Sequence, residues 1–184
     1  MRFLMKAGAG KNKGGGFEIQ ICRRLSLWIT GAEKPEIFWR SASSGAKATV
    51  DRKKKVSTKM NGDIMAIDPR GEWLTKHFFI ECKFYKDIRF EDLVKKKGQL
   101  YEFWKKCLLE SEEANLKPLL IFKRNMSRTY ILFDDIILKI ENHTGTILPR
   151  TIFIDENKNS LYLFDFESLI KNIPAESVEF SFME

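Results

Sequence analysis

The sequence has little cysteine, little histidine and no long apolar run, and each shortage excludes a class of protein. Its three cysteines are odd in number and lack Cys-x-x-Cys or histidine spacing, which argues against a disulfide framework or a zinc site. Neither histidine lies in a pattern that indicates a general base. No apolar run approaches the roughly 20 residues that span a bilayer, and residues 1–6 are too short for the apolar core of a signal peptide. We therefore expect an intracellular protein in which Cys22, Cys82 and Cys107 are core residues.

The composition indicates one folded domain with a polyanionic partner. A chain of 184 residues with 43% hydrophobic content can bury a sizeable core, and its net charge of +7 suggests that it binds nucleic acid or an anionic surface. Seven basic residues and a single acid, Asp51, lie between positions 40 and 59. The basic ones are Arg40, Lys47, Arg52, Lys53, Lys54, Lys55 and Lys59. This basic run is either a solvated charged segment or a phosphate-binding one, and its place directly before Asp63 favours phosphate contact.

A predicted hairpin that begins at Asp63 carries the candidate chemistry. Two apolar runs flank a turn-forming cluster at residues 68–71, a pattern typical of an antiparallel hairpin. Because strand side chains alternate between faces, Glu81 and Lys83 share one face of the second strand. The turn brings Asp63 alongside that strand, opposite a residue in the window 77–81. Two carboxylates and a lysine at one sheet edge predict a Mg²⁺ site, and a surface ion pair on a half-exposed strand is the alternative.

The chemistry that such a site supports is phosphodiester hydrolysis. Mg²⁺ prefers one or two carboxylates together with waters and substrate phosphates. The ion polarises a phosphoryl oxygen, lowers the pKa of a bound water and stabilises the leaving oxygen. Lys83 would orient or help deprotonate that water, and it would offset the charge that develops on the phosphate.

Two predicted helices add candidate residues to this sheet edge. A helix over residues 17–30, ended by Gly31, places Glu18 at the border of an apolar stripe. Glu18 either interacts favourably with the helix dipole or faces the acidic cluster as a further ligand of metal or water. A second helix over residues 91–113 places Gln99 at the end of an inward row. Gln99 either forms hydrogen bonds near the cluster or is a polar boundary residue.

The other segments predict a mixed α/β chain with a mobile start. Strands are predicted at residues 37–41, 117–123, 129–133, 136–140, 151–154 and 160–164, and a short helix at residues 167–172. Residues 42–47 form a small-residue loop that can approach a phosphate closely. Residues 7–16 are glycine-rich and basic, and without a Gly-Lys-Ser/Thr motif they predict a flexible arm against nucleic acid rather than a nucleotide-binding loop. Four aspartates are predicted to be turn or strand-end residues and not ligands: Asp134, Asp135, Asp155 and Asp165.

This order of elements resembles the PD-(D/E)-x-K nuclease superfamily, and within it the Holliday junction resolvases of archaea and of some phages. The residues that carry the resemblance are Glu18, Ser44-Gly45, Asp63, Glu81-Cys82-Lys83 and Gln99. The sequence departs from the pattern at Gly62, where the superfamily often has proline. The resemblance implies an α/β, restriction-endonuclease-like core, with a central mixed β-sheet flanked by helices. A β-rich C-terminal extension from about residue 135 to 184 would serve dimer contact, sheet extension or partner binding.

The resemblance also implies the roles of individual residues. The implied catalytic set is Glu18, Asp63, Glu81, Lys83, Gln99 and a loop serine, Ser44 or its neighbour Ser43. The implied metal ligands are Asp63, Glu81, Glu18 and the backbone carbonyl of Cys82, with Mg²⁺ as the ion and Mn²⁺ able to replace it. The predicted DNA-binding set comes instead from the basic run, the small-residue loop and the basic start of the second helix, and it is Arg40, Ser43, Ser44, Lys47, Arg52, Lys53, Lys54, Lys55, Lys59 and Lys96.

The function that the resemblance implies is a Mg²⁺-dependent endonuclease that cuts branched DNA, with a four-way junction as the first candidate. It would work as a two-fold homodimer in the cytoplasm of a bacterial, archaeal or phage-infected cell. A restriction-type or repair nuclease would use the same site on duplex DNA. A DNA-binding protein without catalysis would carry the charged cluster for structural reasons. The enzyme is favoured because every acidic and basic position of the motif is filled.

Overall fold

The described part of the chain, residues 9–32, 36–41 and 62–183 of a computed structural model, has helices on both faces of a central sheet. Its strands are β1 (Phe38–Arg40), β2 (Ile64–Ala66), β3 (Phe78–Tyr85), β4 (Lys117–Arg124), β5 (Thr129–Phe133), β6 (Thr151–Ile154) and β7 (Ser160–Asp165). Its helices are α1 (Ala9–Thr30), α2 (Glu72–His77), α3 (Glu91–Lys95), α4 (Gln99–Glu113), α5 (Ile136–Thr144), α6 (Phe166–Asn172) and α7 (Ala175–Phe180). None of the helices in these ranges combines the length and the apolarity that crossing a bilayer requires.

The central sheet has five strands in the order β3-β4-β5-β7-β6. β3 and β4 run parallel and are connected through α4, whereas the other neighbours are antiparallel. β1 and β2 form a separate antiparallel pair, which reaches the outer edge of β3 through a parallel bridge between Gly62 and Ile80. The C-terminal segment supplies β6 and β7 and therefore extends the sheet. The architecture confirms the expected fold class, an α/β restriction-endonuclease-like core with a mixed sheet between helices.

Apolar side chains fill both sides of this sheet. α1, α5, α6 and α7 cover one face, where Ile80 and Cys82 of β3 are buried. α3 and α4 cover the other face, where Phe79 of β3 is buried. The side chains of β3 thus alternate between two cores, as predicted, and Glu81 and Lys83 belong to the α4 side. The three cysteines are free and buried, which confirms their expected place in the core.

The antiparallel hairpin predicted after Asp63 is wrong. The turn-forming cluster makes a 3₁₀ turn, Pro69–Gly71, in which the Asp68 carboxylate accepts a hydrogen bond of 3.0 Å from a backbone amide of the turn. The residues that follow form α2, which buries Trp73 and Leu74 and leaves Glu72 and Lys76 exposed. The segment that contains Asp63 therefore meets β3 in the parallel sense, at Ile80, which lies within the predicted window of pairing.

The strand predicted at residues 136–140 is also wrong, because this segment belongs to α5. The Asp134 carboxylate accepts a hydrogen bond of 3.1 Å from the Ile136 amide and so helps to begin the helix. Asp155 and Asp165 accept hydrogen bonds of 2.8 Å and 2.9 Å from backbone amides, one in a turn and one at the start of α6. These aspartates are turn and strand-end residues, as predicted.

Two helix boundaries differ from the prediction. The helix predicted over residues 91–113 divides into α3 and α4 at Gly98, whose φ is 100°. The Asp92 carboxylate accepts a hydrogen bond of 3.1 Å from a backbone amide in the first turn of α4, which gives the second helix its own start. Residues 9–16, predicted as part of a flexible arm, extend α1 instead, and residues 1–8 lie outside the described ranges.

Candidate active site

The outer edge of β3 gathers Asp63, Glu81 and Lys83, which we call the carboxylate cluster. The amide of Asp63 donates to the carbonyl of Ile80 at 2.8 Å, and this bond fixes the Asp63 backbone beside the strand. The Asp63 carboxylate accepts a hydrogen bond from the Cys82 amide, also at 2.8 Å. The Lys83 ammonium contacts the carboxylate of Glu81 and lies 3.9 Å from Oδ2 of Asp63. The three residues predicted to converge are therefore brought together.

The carboxylate cluster is buried and carries competing charges. Asp63 and Glu81 are only 9% and 6% exposed. Burial, followed by the charge of Glu81, raises the pKa of Asp63 to about 7, against the opposing effects of Lys83 and the Cys82 hydrogen bond. Burial by itself would lower the pKa of Lys83, but the carboxylates of Glu81 and Asp63 outweigh it and hold this pKa above its usual value. Two buried carboxylates share one ammonium, so a divalent cation would offset the remaining negative charge.

Glu18 of α1 lies close to the carboxylate cluster and is 8% exposed. Its charge helps to raise the pKa of Asp63, and it adds to the effect of burial that raises the pKa of Cys22 to about 12. This position favours the interpretation of Glu18 as an acid that faces the cluster. Nε of Arg40 in β1 lies 3.0 Å from Oε2 of Glu18. Arg40 thus holds Glu18 in place, and its contact with DNA stays a prediction.

Ser41, directly after β1, is a site residue that the sequence analysis missed. Its amide donates to the carbonyl of Asp63 at 2.8 Å, and its hydroxyl donates to the carbonyl of Gly62 at 2.7 Å. The serine is 2% exposed, so both bonds are sheltered from water. Together with the bond to Ile80, they hold the backbone on both sides of Asp63. No sequence signal marks Ser41, because its position depends on the pairing of β1 with β2.

The loop serines and most of the basic run lie outside the described ranges: Ser43, Ser44, Lys47, Arg52, Lys53, Lys54, Lys55 and Lys59. Their roles stay predictions. Ser41 and Gly62 are the described residues on either side of this segment. The hydroxyl of Ser41 donates to the carbonyl of Gly62, directly beside Asp63. The segment between them therefore leaves and rejoins the described chain at the carboxylate cluster.

Gln99 and Lys96 lie near the start of α4 in different surroundings. Gln99 is exposed, as expected of a boundary residue and not of an inward one. It lies one turn before Phe103, whose ring centroid is 5.8 Å from Nζ of Lys83. Nζ of Lys96 donates to the backbone carbonyl of Asp155 at 2.9 Å, which links it to the connection between β6 and β7. This bond uses one of the three N–H donors of an exposed ammonium, so the DNA-binding role of Lys96 and the role of Gln99 both stay predictions.

The geometry of β3 indicates which groups could hold a metal ion. In the described ranges, no group of three or more His, Cys, Asp and Glu side chains is arranged to bind a metal by itself. Cys82 directs its amide to Asp63, and its carbonyl points to the same edge because both groups of a strand residue face one neighbour. Asp63, Glu81 and this carbonyl fit Mg²⁺, which takes few protein oxygens and completes its shell with water and phosphate.

Comparison with known proteins places a nuclease family over most of the chain. The family model described as "Phage putative PDDEXK endonuclease" matches residues 9–179. Protein D14 of Escherichia phage T5 is 32% identical over 102 residues, which make up 54% of this chain. The chain spans 60% of the length of that relative. No solved structure matches.

Proposed function

The chain belongs to the phage PDDEXK endonuclease family, and we propose that it is a divalent-metal-dependent DNA endonuclease that cuts branched DNA, with a four-way junction as its first candidate. The observation that carries this proposal is the gathering of Asp63, Glu81 and Lys83 at the edge of β3. The preference for branched DNA is supported by the order of the motif elements, which resembles that of junction resolvases.

Each residue of the carboxylate cluster has its own task in the proposed reaction. Asp63, Glu81 and the Cys82 carbonyl would hold Mg²⁺, with Glu18 placed to assist. When bound, the ion supplies polarisation of a phosphoryl oxygen and compensation of charge on the leaving oxygen. Lys83 would orient the attacking water, and its ammonium would offset the charge that develops on the phosphate. The product strand would carry a 5′-phosphate, as the resemblance implies.

Charge supports DNA as the partner of this site. The chain carries a net charge of +7, and the segment that holds most of the basic run connects to the carboxylate cluster at both ends. Its lysines and arginines would bind phosphates on either side of the cut and position the strand without reading its bases. The loop serine (Ser44 or Ser43) and Gln99 would assist there, as the motif order implies. The enzyme would act inside the infected cell.

A cleavage assay on matched substrates tests this function. A synthetic four-way junction and linear duplexes with the same arm sequences are incubated with the protein and Mg²⁺, and the products of each strand are resolved. We expect paired cuts near the branch point, little cutting of the duplexes and no product in EDTA. Equal cutting of the duplexes at a defined sequence would indicate a restriction-type enzyme. DNA binding without any Mg²⁺- or Mn²⁺-dependent product would indicate a protein without catalysis.

A two-fold dimer would present two active sites to one junction, and β6 offers a surface for it. β6 is the last strand of the sheet, and within the described ranges only β7 pairs with it. Ile152 and Ile154 point to the same face of β6 and are 51% and 47% exposed. Antiparallel pairing of two copies about an axis at Phe153 would place each Ile152 opposite an Ile154. The exposed edge is therefore complementary to itself.

Ile152→Lys is expected to convert this dimer into a monomer, because a lysine on an edge strand opposes pairing with another strand. Size-exclusion chromatography with light scattering measures the mass of the native chain and the variant at the same concentration. Leu109→Lys is the matched control, since Leu109 is 58% exposed on α4 and should leave the mass unchanged. A native monomer, or an unchanged mass for Ile152→Lys, would reject β6 as the dimer interface.

A further inference from the structure

Tyr85 extends the catalytic face of β3 beyond Lys83. Side chains of a strand alternate, so Glu81, Lys83 and Tyr85 all face the α4 side. Tyr85 is 42% exposed as a residue, and its ring packs against Phe103 of α4, with the ring centroids 4.9 Å apart and the planes inclined by 43°. Phe103 also lies under the Lys83 ammonium, 5.8 Å from the ring centroid. An aromatic surface thus adjoins the carboxylate cluster.

The distance along β3 from Lys83 to Tyr85 is similar to the distance between the phosphate and the base of one nucleotide. Two residues of a strand span about 7 Å, which corresponds to the reach from a phosphate to the base that it carries. A scissile phosphate beside Lys83 would therefore bring a neighbouring base to the open face of Tyr85. The phenylalanine behind Tyr85 holds the ring in position, so little side-chain freedom would be lost when a base binds.

The next strand adds a cation to the same surface. Arg124 of β4 is the register partner of Tyr85, so its side chain leaves the sheet on the same face. Arg124 is exposed, and its guanidinium lies 6.0 Å from the ring centroid of Phe90. Exposed aromatic rings between basic side chains are typical of surfaces that bind single-stranded nucleic acid, where bases stack and phosphates meet cations. The exposed guanidinium of Arg124 beside Tyr85 favours a polyanion over an apolar protein partner.

We propose that Tyr85, supported by Phe103, stacks an unpaired base of the strand that is cut, while Arg124 contacts a phosphate next to it. This inference rests on the proposed endonuclease function and deepens it by naming the substrate class: DNA with an unpaired nucleotide beside the scissile phosphate. A base inside a continuous duplex is stacked on both sides and is not available to Tyr85. Branch points, flaps and single strands supply such a base.

Binding of DNA that contains the fluorescent base 2-aminopurine tests this proposal. The base is placed next to the branch point of a four-way junction, in a single strand, or within a continuous duplex, and binding is measured in EDTA so that no cutting occurs. We expect the native protein to quench the unpaired base. Tyr85→Ala should lose this quenching and weaken binding of the junction and the single strand by roughly tenfold, with duplex binding unchanged. Tyr85→Phe should restore both signals, because stacking needs the ring and not the hydroxyl.

Phe180→Ala is the matched control, since Phe180 is 54% exposed on α7, on the opposite face of the sheet. It should bind all three DNAs as the native chain does. The proposal is overturned if Tyr85→Ala behaves as the native protein with unpaired bases, or if it weakens duplex binding equally. If Tyr85→Ala loses quenching and binding with the junction alone, the stacked base comes from the branch point. If it loses them with the junction and with the single strand, the proposed substrate class includes single strands. A native protein that quenches the base but cuts no DNA would contradict the proposed function and support the stacking site.

Discussion

Glu81→Gln is expected to reduce Mg²⁺-dependent cleavage of a four-way junction by about 1,000-fold, with the fold intact. The substitution keeps the size of the side chain and removes one of the two buried carboxylates proposed to hold the metal. Loss of such a ligand removes several kcal/mol of transition-state stabilisation, and a tenfold change in rate corresponds to roughly 1.4 kcal/mol. Single-turnover rates of the native and variant proteins, measured with protein in excess over DNA, give the ratio directly.

Melting curves of the same variant separate metal binding from folding. Mg²⁺ at about a hundred times its dissociation constant is expected to stabilise the native protein by about 2.7 kcal/mol. Glu81→Gln should lose most of this stabilisation by Mg²⁺. Its melting temperature in Mg²⁺ should therefore be close to that of the native protein in EDTA. Glu167→Gln is the matched control, because the Glu167 side chain is 49% exposed on α6 and pairs with Arg24 at the surface. Cleavage by Glu81→Gln within tenfold of the native rate would remove Glu81 from the active site.

The features that the sequence predicted correctly depend on short-range patterns. Successive side chains of a strand alternate between its two faces, and this rule alone placed Glu81 and Lys83 together on one face, which the structure shows to be the α4 side. Gly31 ends α1 with a φ of 61°, a conformation that a residue without a Cβ adopts at little cost. The predicted pairing window for Asp63 includes Ile80, its observed partner, although the chain reaches that point by a different route.

The features that the sequence did not predict depend on contacts between distant segments. A short run such as residues 73–77, of which only Trp73 and Leu74 are apolar, has no periodicity that distinguishes a strand from a helix, and packing against the rest of the chain decides between them. Here β4 occupies one side of β3 and Gly62 the other, so the run forms α2 instead of a hairpin strand. The ion pair of Arg40 with Glu18 likewise exists only after β1 has packed on α1.

Gly62→Ala is expected to lower cleavage by about 100-fold, although Gly62 has no side chain to contribute to the reaction. Its φ is 85°, which other residues adopt at a cost of about 1–2 kcal/mol. A Cβ at this position would lie 2.5 Å from the carbonyl oxygen of Ile80 and 2.9 Å from its nitrogen, and backbone atoms of a buried strand cannot move aside. The chain at Gly62 must therefore shift, and Asp63 must shift with it. A displacement of about 1 Å at a catalytic group costs about 100-fold in rate. Proline, which the superfamily often has here, fits even less because its φ is fixed near −65°.

Gly145→Ala separates backbone strain from displacement of the site. Gly145 has a φ of 66° at the end of α5, and a Cβ there would meet no other atom within 4 Å. Alanine at this position is expected to cost about 1–2 kcal/mol of stability and to leave cleavage unchanged, whereas Gly62→Ala should lose both stability and cleavage. Urea unfolding measures the stability of each variant, and single-turnover cleavage of the junction measures its cleavage rate. If both variants lose similar stability and cut at the native rate, either the contact of Gly62 with Ile80 does not position Asp63 or the active site tolerates a displaced carboxylate, and the prediction fails in both cases.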